Sequence, residues 1–489
     1  MALLAIASLA SSAQAAPDVS ELARRARQFM ADGKFSAAAD LYAQLAQALP
    51  GDPGVAMNHG MALHMSGRFR ESIPRLQAAS EADLQPARAS FLIGTAHLAL
   101  NEPDRAVQPL QEAARASPGM AEAAHALAQA LTMLGRHREA ANEFRRLTGL
   151  APSNPAAWFG LGLAYSTLSQ AALNELERTA PESAYMVALA AEVQMSQGKH
   201  ANALHLYREA LNRQPELLGA RRGIAAIYRR TGHSDWADKE EAMEPRVPEA
   251  ECATRRAECL YQDGKWLELA DAASAGGPAA HFWASRAYDT LASQAYERLK
   301  QLPPSAEGHE FDARTFRDQG RHRESIESWR AALKIRPEDS NLQKELAVSL
   351  QLNRDYAAAR PLLQRLLASR PDSVELHYAM GSLLVNVQEL DDAVRHLELV
   401  TSGEPGFLPA RASLGLALMR LDRTAEAVTH LEAALPSDSD GSIHFRLAQA
   451  YQRTGQAQRA NQMLETYRRI LHLLDERAQF EKGLGILPP

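Results

Sequence analysis

Apolar residues recur along the chain with helical spacing, in stretches separated by short polar turns. Many stretches place a small residue four positions before a large one, as at Ala38 and Tyr42 or Ala140 and Phe144. Residues four apart share one face of an α-helix, so this spacing predicts amphipathic helices. Ala and Leu outnumber the β-branched residues that strands prefer. We therefore predict an all-α protein.

The polar turns repeat every 34 residues. Gly33, Gly67, Asn101 and Gly135 lie at this interval, and a second run continues the phase at Gly320, Arg354, Gln388, Asp422 and Gly455. Glycine permits the left-handed backbone that ends one helix, and prolines such as Pro118 and Pro152 end the next one. Each block is therefore predicted to be a pair of antiparallel helices.

The phase places fourteen helical hairpins along the chain. Their first residues are Val19, Pro53, Ala87, Ala121, Pro155, Ala184, Leu218, Ala250, Ala279, Ala306, Ser340, Val374, Leu408 and Gly441. The units from Pro155 and Ala279 are short, lack the turn glycine, and resemble each other at a constant offset of 123 residues. We expect repeat arrays over residues 19–248 and 306–474, irregular short hairpins with a possible hinge over 249–305, and the end of a capping helix with a tail over 475–489.

One motif carries a family resemblance. Trp158, Leu161, Gly162 and Tyr165 follow the first-helix spacing of the tetratricopeptide repeat family, and Ala203, Tyr207 and Pro215 supply its second-helix signature one unit later. The chain resembles this family over nearly its whole length after Asp18. The resemblance implies a right-handed superhelical solenoid that acts as a non-catalytic scaffold and binds a peptide or protein segment in its concave groove.

Composition and motifs narrow the function further. The formal charge is −6, which favours neither nucleic acid nor anionic lipid as a partner, and no apolar stretch is long enough to span a membrane. No motif for nucleophilic catalysis, phosphate binding or metal ligation occurs, so we expect no enzyme activity, no cofactor and no metal. Two alternatives stay open: a periplasmic assembly factor for polysaccharide or outer-membrane machinery, and an accessory subunit of an enzyme such as a glycosyltransferase.

The two cysteines, Cys252 and Cys259, are predicted to share one helix. Seven residues of helix separate their Cα atoms by about 10.5 Å, which is beyond the reach of a disulfide. We expect buried free thiols, with a redox or intermolecular role as the alternative.

The first sixteen residues resemble a secretory signal. They carry no charge, contain the apolar stretch from Leu3 to Ala10, and end in the small-residue pattern Ala13-Gln14-Ala15. The basic residues that usually precede the apolar stretch are absent. Export to the periplasm is the expectation, and a cytoplasmic location is the alternative.

Candidate partner-binding residues follow from the family, in which the second, fifth, ninth and twelfth residues of each unit face the groove. In the N-terminal units these include Met57, Met61, His64, Phe91, Thr95, His125, Gln129, Phe159 and Leu163. Flexible thioethers and aromatic rings suit an adaptable peptide-binding surface. Alternatively, these side chains only pack against the next hairpin.

The middle units present arginines instead. They are Arg222, Arg229, Arg230, Arg314 and Arg317. Such a cluster can bind carboxylates. The alternative is a solvated surface of mixed charge, balanced by Glu192, Glu251 and Glu310. Neither the identity of the partner nor the oligomeric state follows from the sequence.

Overall fold

The computed structural model describes residues 19–273 and 276–489, and these residues form an all-α repeat fold. Within them lie 26 α-helices, two short 3-10 turns at Glu249–Glu251 and Leu435–Ser437, and no β-strand. The signal-like segment 1–16 lies outside the described residues. The chain divides into two compact units, which we describe separately.

The first unit comprises the chain up to Leu168 together with Leu291–Ala295. Its helices are α1 (Val19–Ala31), α2 (Phe35–Ala48), α3 (Pro53–Met65), α4 (Phe69–Glu81), α5 (Pro86–Ala99), α6 (Pro103–Ala116), α7 (Ala121–Met133), α8 (His137–Leu150) and the first part of α9 (Pro155–Thr179).

The second unit comprises Ser169–Thr290 and Tyr296–Pro489. Its helices are α10 (Ala184–Ser196), α11 (His200–Arg213), α12 (Ala220–Arg230), α13 (Ser234–Ala242), α14 (Arg256–Gln262), α15 (Trp266–Ala272), most of α16 (Pro278–Lys300), α17 (Ala306–Asp318), α18 (His322–Ile335), α19 (Ser340–Leu352), α20 (Tyr356–Ser369), α21 (Val374–Asn386), α22 (Leu390–Gly403), α23 (Leu408–Arg420), α24 (Thr424–Ala434), α25 (Ser442–Arg453) and α26 (Ala457–Gly483).

Most helices pair with the next helix in the chain, so the architecture is a helical repeat solenoid, as predicted. The prediction of fourteen hairpins is wrong, because twelve hairpins occur in the described part of the chain. The units from Pro155 and Ala279 are instead single helices, α9 and α16, of 25 and 23 residues. Neither contains an internal glycine turn or proline that would end it midway, so each continues as one helix.

The turn between the two helices of a hairpin follows the predicted phase. All nine turn positions have positive φ, from 58° at Asn101 and Asp422 to 79° at Gly67. Five of them are glycine, and the other four are Asn101, Arg354, Gln388 and Asp422. The backbone of the turn is therefore retained even where the side chain disfavours it.

In six hairpins of the described residues, a bulky residue of the second helix packs against a glycine of a first helix. In α5, Gly94 faces Leu110 of the same hairpin, where an added Cβ would lie 2.4 Å from the leucine Cγ. An aromatic residue can instead reach the helix that follows its hairpin. The ring of Phe144 on α8 faces Gly160 of α9, where an added Cβ would lie 2.3 Å from the ring. These gaps let neighbouring helices approach closely.

The expectation of free thiols is wrong, because Cys252 and Cys259 form a disulfide across a Cα–Cα distance of 5.7 Å. Helix α14 begins only at Arg256, so Cys252 lies in the turn that follows Glu249–Glu251 rather than in the same helix. The predicted helical separation therefore does not apply. A disulfide that closes a loop of this length lowers the conformational entropy of the unfolded chain, which stabilises the folded state by about 2.5 kcal/mol in the chain-entropy treatment.

The turn geometry yields a stability prediction. Gln388 has φ of 70° in the same kind of turn as Gly320, whose added Cβ would meet no atom within 4 Å. We expect Gln388→Gly to raise the free energy of unfolding by about 1 kcal/mol, because glycine adopts this backbone without steric strain. Gly320→Ala should lower it by a similar amount. Chemical denaturation measures both, and two changes of the same sign would contradict the explanation.

Candidate functional site

The candidate groove residues of the first unit lie on four successive first helices, α3, α5, α7 and α9. All of them are at least partly exposed except Met57. Its side chain is only 4% exposed and belongs to a hydrophobic cluster with Leu76 and Leu92. It cannot contact a ligand without unpacking this cluster, so we remove it from the candidate set. The remaining eight residues form what we call the first-helix stripe: Met61, His64, Phe91, Thr95, His125, Gln129, Phe159 and Leu163.

The apolar members of the first-helix stripe are half-buried. Met61 and Phe91 pack against the cluster that contains Met57, and both keep part of their surface exposed. Phe159 and Leu163 are likewise half-buried on α9. At Met61 and Phe91, packing against neighbouring hairpins and exposure to a ligand are therefore compatible.

The polar members of the stripe carry no fixed charge. The ring of His64 lies edge-on to Phe69 at 5.2 Å, and burial lowers the pKa of His64, so this ring is neutral near pH 7. Thr95 donates its hydroxyl to the carbonyl of Phe91 within α5, and Gln129 is exposed. The ring of His125 lies 6.4 Å from that of Phe144. The stripe contains no Asp, Glu, Lys or Arg.

The arginines of the second unit do not form one cluster. Arg222 lies 3.3 Å from the buried carboxylate of Glu244, and its guanidinium lies 5.2 Å from the ring centre of Tyr261. Arg229 pairs with Glu241 and is also 3.4 Å from Asp238. Both guanidinium groups therefore have carboxylate partners on neighbouring segments.

The arginines of α17 are also paired. Arg314 contacts Glu310 at 2.8 Å on the same helix, and Arg317 pairs with Glu345 on α19. Arg230 is exposed at the end of α12. This arrangement favours the mixed-charge surface over an open site for an acidic ligand.

Sequence reasoning missed the most enclosed cation, Arg286 of α16, whose side chain is 11% exposed. Its guanidinium pairs with Glu192 of α10, donates to the carbonyl of Leu218, and lies 4.9 and 5.4 Å from the rings of Phe282 and Tyr261. Burial lowers the pKa of Arg286 to about 10, so it still carries its charge near neutral pH. The only sequence signal is a charge within the apolar run around Phe282 and Tyr288.

Two grooves lie on the side where second helices neighbour each other. One, of about 590 Å³, has α4 and α6 as walls and α5 as its floor. The other, of about 550 Å³, has α20 and α22 as walls and α21 as its floor. Equivalent positions line both, since Gln77 corresponds to Gln364 and Glu102 to Glu389. The repeat therefore builds the same kind of groove at distant points in the chain.

No metal site or membrane span is found among the described residues. Across 19–273 and 276–489, no three His, Cys, Asp or Glu side chains converge in a way that could hold an ion. In the same residues, no helix combines the length and the apolar character needed to cross a bilayer.

Comparison with known families agrees with the repeat geometry. One model of the tetratricopeptide repeat matches residues 57–121, 313–374 and 378–442, and a second matches residues 97–165. The chain belongs to the tetratricopeptide repeat family. The resemblance seen in the sequence is confirmed, and the chain is accordingly a protein-interaction scaffold.

Several solved structures resemble part of this tetratricopeptide repeat protein. MamA MSR-1 is 24% identical, with 35% of this chain and 98% of that chain covered at a TM-score of 0.30. MamA from Desulfovibrio magneticus RS-1 is 19% identical, with 36% and 96% covered at 0.31. YrrB, described as a TPR protein with an unusual peptide-binding site, is 17% identical, with 41% and 88% covered at 0.29. No curated protein matches the chain.

The enclosed ion pair yields a second prediction. Glu192→Gln removes the carboxylate that is paired with Arg286 and leaves Asp289 as its neighbouring negative charge, and we expect this to lower the free energy of unfolding by about 2 kcal/mol. Removing one partner of a fully buried pair costs about 3–5 kcal/mol, but Glu192 is 35% exposed, and water screens the remaining charge.

The matched control is Glu241→Gln, which breaks the exposed pair with Arg229. It should leave stability nearly unchanged, because solvent screens both charges. Chemical denaturation of both variants measures the two changes in the free energy of unfolding. Equal effects would mean that the Arg286 pair is not energetically enclosed.

Proposed function

We propose that the chain is a non-catalytic scaffold that binds a segment of a partner protein along the first-helix stripe. One observation carries the proposal: four successive first helices present accessible side chains without carboxylate, ammonium or guanidinium groups at equivalent positions. Two phenyl rings, two imidazoles and a thioether occur among eight residues. A helical or extended segment can bury apolar anchors against such a surface.

The first-helix stripe is a better candidate site than the arginines because a ligand can bind there without breaking existing ion pairs. Arg222, Arg229, Arg314 and Arg317 already hold carboxylates, so an acidic ligand would have to displace Glu244, Glu241, Glu310 and Glu345 in turn. Half-exposed Phe91 and Phe159 need only lose water. Aromatic residues in desolvated positions contribute most to interface affinity.

The proposal predicts which variants weaken binding. A photo-crosslinking residue placed at Gln129, with Glu327 on α18 as the control position, identifies the partner segment in the native host. Phe91→Ala and Phe159→Ala should then each weaken binding of that segment by about 2 kcal/mol. Phe445→Ala is the matched control, since Phe445 occupies the same position in α25, outside the stripe.

Arg229→Ala and Arg314→Ala complete the test. We expect them mainly to slow association and to reduce its salt dependence, because charges outside the binding surface still steer the encounter. If these two variants abolish binding and the phenylalanine variants leave it unchanged, the ligand is an acidic segment bound in the second unit, and the stripe is not the site.

We further propose that the protein is exported to an oxidising compartment such as the periplasm. The signal-like composition of residues 1–16 supports this, and so does the Cys252–Cys259 disulfide, since disulfides persist mainly outside the reducing cytoplasm.

Mass spectrometry of protein recovered from its native host tests the export proposal. The N-terminus should lie at Ala16 or Pro17, and thiol alkylation should label neither cysteine until a reductant is added. A chain that begins at Met1 with both thiols free would place the protein in the cytoplasm.

A further inference from the structure

The end of α26 lies on α11, far away in the sequence. The ring of Phe480 meets that of His205 edge-on at 5.1 Å, and Glu481 is hydrogen-bonded to Asn202. A groove of about 290 Å³ lies between the two helices, with Leu206 on one wall and Leu484 on the other. The C-terminal helix therefore contacts a hairpin of its own unit that is not its neighbour along the chain.

The residues after α26 are held by their backbone. The hydroxyl of Tyr228 donates to the carbonyl of Leu487 at 2.7 Å, and Arg208 donates to the same carbonyl at 3.0 Å and to the carbonyl of Pro488. Arg208 also donates to the Tyr228 hydroxyl at 2.9 Å, which orients the pair. Proline keeps a segment extended with its carbonyls accessible, so these donors suit a Leu-Pro-Pro sequence.

This face of α11 corresponds to a wall of the grooves between second helices. Asn202, His205 and Leu206 occupy the positions that Asp392, Arg395 and His396 occupy in the groove walled by α20 and α22. The hairpin α10–α11 follows α9, which is a single helix and supplies no second helix. Here α26 provides the second wall, with Phe480 and Leu484 at a spacing close to that of Gln364 and Leu367 of α20.

We propose that this face of α11, together with Arg208 and Tyr228, is a binding site for the amphipathic end of α26 and the extended Leu-Pro-Pro segment that follows it, and that it exchanges this segment of its own chain for that of a second copy. The occupant is part of the same sequence, so a second copy presents an identical ligand. Exchange of identical elements is a common route to dimers.

The contact between the end of α26 and α11 buries only part of its apolar side chains, so it can be exchanged. Phe480 and Leu487 remain 54% and 57% exposed although they are docked. The preceding turns of α26 carry Leu471, Leu473 and Leu474 at 42, 58 and 43% exposure. Little apolar surface would therefore be uncovered when the segment leaves its own chain.

The test uses the full-length chain and a fluorescent peptide that spans Ile470 to Pro489. Phe480→Ala with Leu484→Ala weakens the chain's own ligand and leaves the acceptor face intact. Because a tethered ligand competes at high effective concentration, the peptide should bind this double variant at least tenfold more tightly than it binds the unmodified chain. Adding Arg208→Ala to the double variant should weaken peptide binding at least fivefold.

Arg330→Ala is the matched control, because exposed Arg330 occupies in α18 the position of Arg208 in α11. It should leave peptide affinity unchanged. Sedimentation equilibrium of the unmodified chain should show a concentration-dependent dimer that Arg208→Ala reduces. Equal peptide affinity in the unmodified chain and the double variant, or a chain that stays monomeric at concentrations where the peptide saturates the double variant, would overturn the proposal.

Discussion

The structure depends on one packing relation that recurs along the chain: a bulky side chain of a second helix fills a gap left by a small residue on a first helix. Leu110 against Gly94 and Phe144 against Gly160 are two forms of it. Each contact joins a hairpin internally or to its successor, so stability accumulates from neighbouring interfaces rather than from one central core. The stripe residues of the first helices, such as Phe91 and Thr95 of α5, lie beside this contact and keep part of their surface exposed.

Where the hairpin pattern fails, the surrounding residues adjust. Helices α9 and α16 lack a turn and continue as single helices, and the most unusual contacts of the second unit occur around them. The cation of Arg286 on α16 is enclosed by Glu192, Tyr261 and Phe282. The face of α11 that follows α9 is covered by the distant end of α26. Irregular units therefore create the sites at which this chain differs from a uniform repeat.

The sequence predicts the repeat well and the irregular parts poorly, for physical reasons. Turn glycines and small-to-large spacing are local signals, and they located even the turns at Arg354 and Gln388. The absence of a turn glycine in α9 is visible in the sequence, but the phase of the neighbouring repeats still predicts a hairpin there. Whether Cys252 and Cys259 can form a disulfide depends on the residue at which α14 begins. Helix boundaries are the feature that a sequence pattern predicts least reliably. The carboxylate partners of Arg222 and Arg286 lie on other segments of the chain, so no spacing within one helix reveals them. Met57 and Met61 differ in burial because of their neighbours, which the sequence pattern does not show.

If fitted contacts between adjacent hairpins carry the stability, Phe144 and Gly160 are energetically coupled, and a double-mutant cycle measures that coupling. Gly160→Ala places a Cβ against a buried ring and should lower the free energy of unfolding by about 2 kcal/mol. In a Phe144→Leu background the ring is gone, so the same change should be nearly neutral, which gives a coupling energy above about 1 kcal/mol. Additive effects, with Gly160→Ala equally costly in both backgrounds, would contradict the account.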